Sequence, residues 1–178
     1  MTTRAATRAD APAIAAIYNE GIADRTATFE TRPRSALEVE AWIDGVHPVV
    51  VVERDGDVAG FASTSAYRSR DCYAGVAEFA VYVARDRRHR GVGREAMDAL
   101  VVAAEQAGFW KLLSRVFVDN VASRSLLGAV GFRDVGTYRR HARLDGVWRD
   151  VVIVERLLGA AAAEDGEPDA GIGGEIGA

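Results

Sequence analysis

Cysteine is almost missing from this chain. Cys72 stands alone among 178 residues, which excludes an internal disulfide framework and any cluster of thiolate ligands. Histidine is scarce as well. His47, His89 and His141 lie far apart and offer no metal-ligand spacing, so no metal is expected. No apolar run approaches the roughly eighteen residues of a membrane span, and the opening MTTRAATRADAP lacks the apolar stretch of a secretory signal. These absences lead to the expectation of a cytoplasmic protein with no membrane contact. Lysine is reduced to Lys111 within a total of 22 basic side chains. So general an arginine excess says nothing about a site by itself; only the positions of the arginines can.

The rest is ordinary globular composition, 49% hydrophobic and 27% charged. The length suits one domain and is enough to bury a core without covalent staples. The formal charge of −4 has an uneven origin. Glu164, Asp165, Glu167, Asp169 and Glu175 fall in residues 159–178, which carry no base. Without those five of its 26 carboxylates, the chain sets 22 bases against 21 acids and is close to neutral. The segment GAAAAEDGEPDAGIGGEIGA has almost no bulky apolar residue to offset its ordering entropy. It is expected to be a disordered tail, leaving residues 1–158 as a single domain.

Period and punctuation supply the elements. Asp10 suits a helix N-cap with Pro12 in the first turn, and Ile14, Ile17 and Tyr18 follow at helical spacing. Ser35 and Glu38 form a capping-box pattern opening a short helix with Leu37, Ala41 and Trp42. The β-branched run 49–53 and the Asp55-Gly56 turn predict a hairpin into 58–66. Residues 76–83 read as a third strand, followed by a helix to about Gln106 closed by Gly108. A strand at 112–118, a helix capped by Asn120, and a strand pair 132–140 and 147–158 about Asp145-Gly146 complete the chain. The order predicts an α/β fold with a mixed, mostly antiparallel sheet flanked by helices.

Chemistry concentrates in residues 78–94, EFAVYVARDRRHRGVGR. A strand runs into a turn bearing Arg85, Arg87, Arg88 and Arg90, then Gly91-Val92-Gly93 and Arg94 open a helix. Glycines allow close backbone approach, and the first amides of a helix favour an anion. Such a segment is built to cradle a pyrophosphate. It is not a Walker A loop, because Arg94 and Glu95 follow the last glycine, and it is not the dinucleotide loop, because Ala96 replaces the third glycine. Nucleic acid as the partner is disfavoured by the near-neutral body and the absence of interleaved aromatics.

The pattern Arg88-x-x-Gly91-x-Gly93, with Asn120-x-x-Ser123 and Gly131-Phe132 after it, resembles the acetyl-CoA loop and the following strand–helix edge of the GCN5-related N-acetyltransferases (GNAT). The segments IYNEGIADRTATFET (17–31), AYRSRDCY (66–73), Glu78-x-x-Val81-x-Val83 and Gly146-x-Trp148-x-Asp150 are similar to one branch of that family. That branch comprises the phosphinothricin, methionine sulfoximine and arsinothricin N-acetyltransferases, and the arsinothricin members are similar over Tyr138–Asp150. The resemblance spans about residues 3–157. It implies a GNAT fold, acetyl-CoA as co-substrate and a homodimer. It also implies acetylation of the α-amino group of a glutamate-like amino acid, conferring resistance by detoxification. Two alternatives keep the same loop: acetylation of a protein N-terminus or other small amine, and a non-catalytic acyl-CoA sensor.

The residues divide into roles under that resemblance. Glu78 is the candidate base for the substrate ammonium; partial burial in the strand would raise its pKa, and the alternative is a surface glutamate on an edge strand. The main chain of Val81 and Val83 would hold the pantetheine arm. Arg88, His89, Arg90, Gly91, Val92, Gly93 and Arg94 would hold the phosphates, with Arg85 and Arg87 as solvated neighbours. Asn120 would bond the pantetheine amide or serve only as an N-cap. Phe29, Arg68, Arg70 and Tyr73 would shape and charge the substrate pocket. The position where the family carries a Tyr or His general acid is occupied by Leu127, with Tyr138 and His141 as substitutes.

Overall fold

The computed structural model describes residues 2–164. Strands are β1 (Thr2–Ala5), β2 (Val49–Arg54), β3 (Asp57–Ala66), β4 (Val76–Val83), β5 (Lys111–Phe117), β6 (Arg133–Leu144) and β7 (Val147–Leu157). Helices are α1 (Ala11–Asp24), α2 (Ala36–Glu40), α3 (Val92–Gln106), α4 (Val121–Ala129) and α5 (Gly159–Glu164). The strands form one sheet in the order β1-β2-β3-β4-β5-β7-β6. Every neighbouring pair is antiparallel except β4 and β5. The expected mixed α/β architecture is therefore the observed one.

Strand alternation sorts the core into two layers. Ala77, Phe79, Leu112, Val152 and Val154 pack with Met97 and Leu100 of α3 and Leu127 of α4. On the opposite face, Val49, Val51 and Phe61 pack against Ile14 and Ile17 of α1 and Val39 of α2. That second layer stops near β4. Over β5 and β7 the cover is thinner, with Phe29 reaching down to Phe117, Leu144 and Val151. The open half of this face begins beside Glu78.

Local chemistry accounts for most boundaries. Asp55 (φ 55°) and Gly56 (φ 90°) join β2 to β3, and Asp145 (φ 48°) and Gly146 (φ 81°) join β6 to β7, the left-handed pairs that two-residue hairpins need. Ser35 Oγ accepts from the Glu38 amide at 3.3 Å, and Glu38 accepts from the Ser35 amide at 2.8 Å. Asn120 Oδ1 caps α4 through the Ser123 amide at 3.1 Å.

Four sequence expectations change. β1 was not anticipated, because TTRA carries no apolar alternation; it gains its place by pairing with β2. Leu37 is 75% exposed, and Val39 is the residue α2 buries. Asp10 stands at the start of α1 without capping it: its Oδ2 accepts from the Thr7 amide at 2.7 Å and closes the preceding turn. The expected tail from 159 begins instead with α5, since four successive alanines carry the highest helix propensity. The remainder of that tail, 165–178, lies outside the described residues.

Candidate active site

The parallel pairing of β4 with β5 is short. It comprises Val76 with Lys111, Ala77 with Leu112 and Glu78 with Leu113, although β4 continues to Val83 and β5 to Phe117. The two strands therefore diverge beyond Glu78. The Ala84 amide donates to Ala59 O at 2.9 Å on the β3 side. Backbone groups alternate in direction along an antiparallel pair, so those of Val81 and Val83 face the opening.

The loop after β4 is anchored before it reaches the opening. The Arg85 amide donates to Glu20 at 2.7 Å, and the Arg85 and Arg88 guanidiniums reach the two oxygens of Asp24 at 2.6 and 2.7 Å. Arg87 binds Asp55 at 2.8 Å, and Arg88 Nε also donates to Val83 O at 3.2 Å. Burial pushes the Asp24 carboxyl up, but the bonds from Arg85 and Arg88 outweigh it and hold the group below its ordinary range. Arg85 and Arg87 thus tie the loop to α1 and to the β2–β3 turn, although Arg85 itself stays 56% exposed. Arg88 is likewise engaged with α1, while Arg90 has no carboxylate partner among the described residues and Arg94 only a loose one, Asp98 at 3.7 Å.

Past these anchors the chain turns through His89 (φ 61°) and Gly91 (φ 82°) into α3. Gly91 is an N-cap without a side chain, so the amides of the first turn stay unpaired. A Cβ on Gly93 would stand 3.0 Å from Leu126, which lets α3 and α4 close on each other. A cavity of about 390 Å³ occupies the fork. Its wall includes Val81, Val83, Arg88, His89, Gly91, Val92, Gly93, Arg94 and Asn120, all the sequence-predicted cofactor residues except Arg90, and its roof is Gly21, Thr26 and Ala27 from the end of α1. Asn120 Nδ2 ties that roof down by donating to Thr26 O at 3.0 Å. Asn120 therefore caps α4 and borders the cavity at once.

The chain is similar in sequence and in fold to known proteins. Residues 14–132 match the Acetyltransferase (GNAT) family. The chain belongs to this family. It is 35% identical to phosphinothricin N-acetyltransferase of Alcaligenes faecalis over 164 residues, 89% of this chain and 83% of that protein. It is 30% identical to the L-methionine sulfoximine/L-methionine sulfone acetyltransferase of Pseudomonas paraeruginosa, covering 84% and 90%. The crystal structure of a GNAT phosphinothricin acetyltransferase of Sinorhizobium meliloti in complex with acetyl-CoA superimposes with a TM-score of 0.83 at 28% identity, covering 98% of this chain and 96% of that one.

In this GNAT fold Glu78 stands at the apex of the fork, on an interior strand and not on an edge. Its side chain is 28% exposed and its carboxylate is ion-paired with Arg115 of β5. The apolar surroundings expected from the strand sequence are on the other face, with Phe79. Arg68 is held more firmly charged than usual, first by Tyr67 beside it and to a smaller extent by Tyr73 and Glu78. Tyr67, Arg68, Ser69, Arg70 and Tyr73 line a separate hollow of about 420 Å³. Neither Arg68 nor Arg70 has a carboxylate partner among the described residues.

Phe29 does not line either cavity; it packs edge-on to Phe117 at 4.8 Å and lies 6.2 Å from the His141 ring. Leu127 is 2% exposed in the α3–α4 core and offers no proton. Tyr138 and His141, 5.4 Å apart, sit beside a register shift of β6. Three residues around the GNAT site escaped sequence reasoning. Glu20 and Asp24 had a signal, two carboxylates four residues apart on one helix face. Arg115 had none, because its contact with Glu78 depends on the β4–β5 register.

Proposed function

We propose that this protein transfers the acetyl group of acetyl-CoA to the α-amino group of a glutamate-like amino acid of the phosphinothricin, methionine sulfoximine or arsinothricin type, detoxifying it and so conferring resistance. The observation that carries the reading is the position of Glu78, between the fork cavity and the Arg68–Tyr73 loop. Acetyl-CoA would lie in the fork with its diphosphate on the amides of 91–94 beside Arg88, His89 and Arg94, its pantetheine arm along Val81, Val83 and Asn120, and Arg90 adding charge from outside the cavity wall. The amino acid would enter from the open face, where Arg68, Arg70 and Tyr73 attract its anionic head and Phe29 bounds the far side.

An ammonium cannot attack a thioester. Glu78 takes one proton, the nitrogen lone pair adds to the carbonyl carbon, and an amide near Val81 donates to the oxyanion. Collapse breaks the C–S bond; nitrogen loses a second proton, and the thiolate leaves as CoA thiol on gaining one. The sum is ammonium plus thioester giving amide, CoA thiol and one proton. With Leu127 enclosed, the thiolate is protonated by water or the departing ammonium proton, or by Tyr138 or His141.

The test is CoA release from acetyl-CoA with phosphinothricin, methionine sulfoximine, methionine sulfone and arsinothricin. Release with at least one supports the reading, and flat release with folded protein defeats it. The protein is further proposed to act in the cytoplasm as a homodimer, supported by the exposed edge strand β6 and by exposed Tyr138, Val147 and Trp148 beside it. A monomer mass by light scattering at working concentration would defeat the dimer.

A further inference from the structure

Arg115 has no part in the reading above, yet it makes the direct contact with its central residue. The register explains why they meet. Leu113 pairs with Glu78, and side chains two apart on a strand share a face, so Arg115 follows on the same side, beyond the point where the strands part. Its Nη2 and Glu78 Oε2 form an ion pair whose members are 37% and 28% exposed. Among the described residues no helix packs on this part of the sheet, and Phe29 and Phe117 lie on one side of it. The contact engages only Oε2 of Glu78 and Nη2 of Arg115, so Oε1 is open to an incoming ammonium, and once that ammonium shares the charge of Glu78 the guanidinium has spare donors for a second anion.

We propose that Arg115 is the residue that recognises the substrate's α-carboxylate, binding it through those spare donors as the α-ammonium takes its place on Glu78. The two charged ends of an α-amino acid are separated by a single carbon and are the complement of this pair. The internal ion pair is joined by two with the substrate, and no charge is left unpartnered. A simple amine, or an amino acid with its carboxylate blocked, offers Glu78 an ammonium but gives Arg115 no second anion. The pair therefore selects free α-amino acids over other amines. The proposal rests on Glu78 being the acceptor of the substrate ammonium, and it adds the reason for α-amino acid selectivity.

The experiment compares methionine sulfone with its α-carboxamide in wild type, Arg115→Met and Arg115→Lys, with thermal melts to verify folding. In wild type the free acid should be strongly preferred. Arg115→Met should raise KM for methionine sulfone on the order of 10- to 100-fold, leave KM for acetyl-CoA within about twofold, and leave the carboxamide's KM unchanged or lower. Arg115→Lys should recover part of the preference. A folded Arg115→Met that retains the wild-type ratio between acid and amide, or that raises both KM values equally, overturns the proposal. Glu78→Gln separates the two levels. Full kcat in that variant defeats the functional reading itself, whereas its loss beside an unchanged acid-to-amide ratio in Arg115→Met defeats only the role given to Arg115.

Discussion

Asp24 and Arg88 join the last turn of α1 to the loop that follows β4, Oδ2 accepting from Nη1 at 2.7 Å. The other oxygen of Asp24 accepts from Arg85, so one carboxylate sets two of the loop's four arginines. Asp24→Asn keeps the shape but turns an NH2 group toward a guanidinium, loosening the loop where the diphosphate binds. KM for acetyl-CoA should rise about three- to tenfold with kcat little changed. S-acetyl-pantetheine, which lacks the diphosphate, should show almost no change. An equal loss for both donors would mean that Asp24 supports the fold only.

Gly21 sets how closely α1 approaches the sheet. A Cβ there would stand 2.6 Å from the Tyr82 ring, and that ring has little room to retreat. It stacks on Phe61 at 5.6 Å and meets Tyr18 at 4.8 Å. Gly21→Ala should therefore cost about 1–3 kcal/mol through overpacking, seen as a lower denaturation midpoint. Because Gly21 also roofs the fork cavity, acetyl-CoA affinity should fall with it. A variant of unchanged midpoint would show that α1 shifts freely.

Local signals were legible in the sequence and relations across the sheet were not. The phosphate loop could be read because its glycines and arginines are contiguous, and the Asp55-Gly56 and Asp145-Gly146 turns because two residues determine each. β1 was invisible, since its four residues are held by partners some fifty positions away and not by their own pattern. The same limit applies at the site. Glu78 could be found from its strand, but its partner Arg115 lies 37 residues on and meets it only through a three-residue parallel register. The arginine cluster shows the same limit: contiguity left Arg85 and Arg87 as neighbours of the phosphate loop, and only the fold shows that they bond carboxylates of α1 and the β2–β3 turn.

Arg4 supplies an acid-sensitive clasp between β1 and α1. Its guanidinium binds both oxygens of buried Asp10, at 2.7 and 2.8 Å, and reaches Glu53 on β2. The Arg4 bonds, opposed by burial and helped by Thr7, hold the Asp10 carboxyl well below its ordinary value of 3.8. A depressed carboxyl stabilises the fold fully above its unfolded pKa, and that contribution fades as pH falls from there toward the folded pKa. Asp10→Asn should lower Tm most at about pH 7, with the gap to wild type closing progressively below about pH 4. A gap that is constant across this range would exclude the linkage.

Leu127 tests whether a missing acid can be restored by substitution. The side chain is enclosed between α3 and the sheet with Met97, Leu100 and Phe132 in the same cluster, and its neighbour Leu126 is the residue that borders the cavity. A tyrosine at 127 would have to place its ring in a filled core and its hydroxyl among apolar groups, so overpacking and an unsatisfied donor oppose it together. Leu127→Tyr should lose stability by about 1–3 kcal/mol without gain in kcat, and Leu127→Ala by about 2–5 kcal/mol. A folded Leu127→Tyr enzyme with raised kcat would require α4 to rotate and bring position 127 to the fork. That outcome would show that the absence of an acid at the fork limits proton delivery to the leaving thiolate.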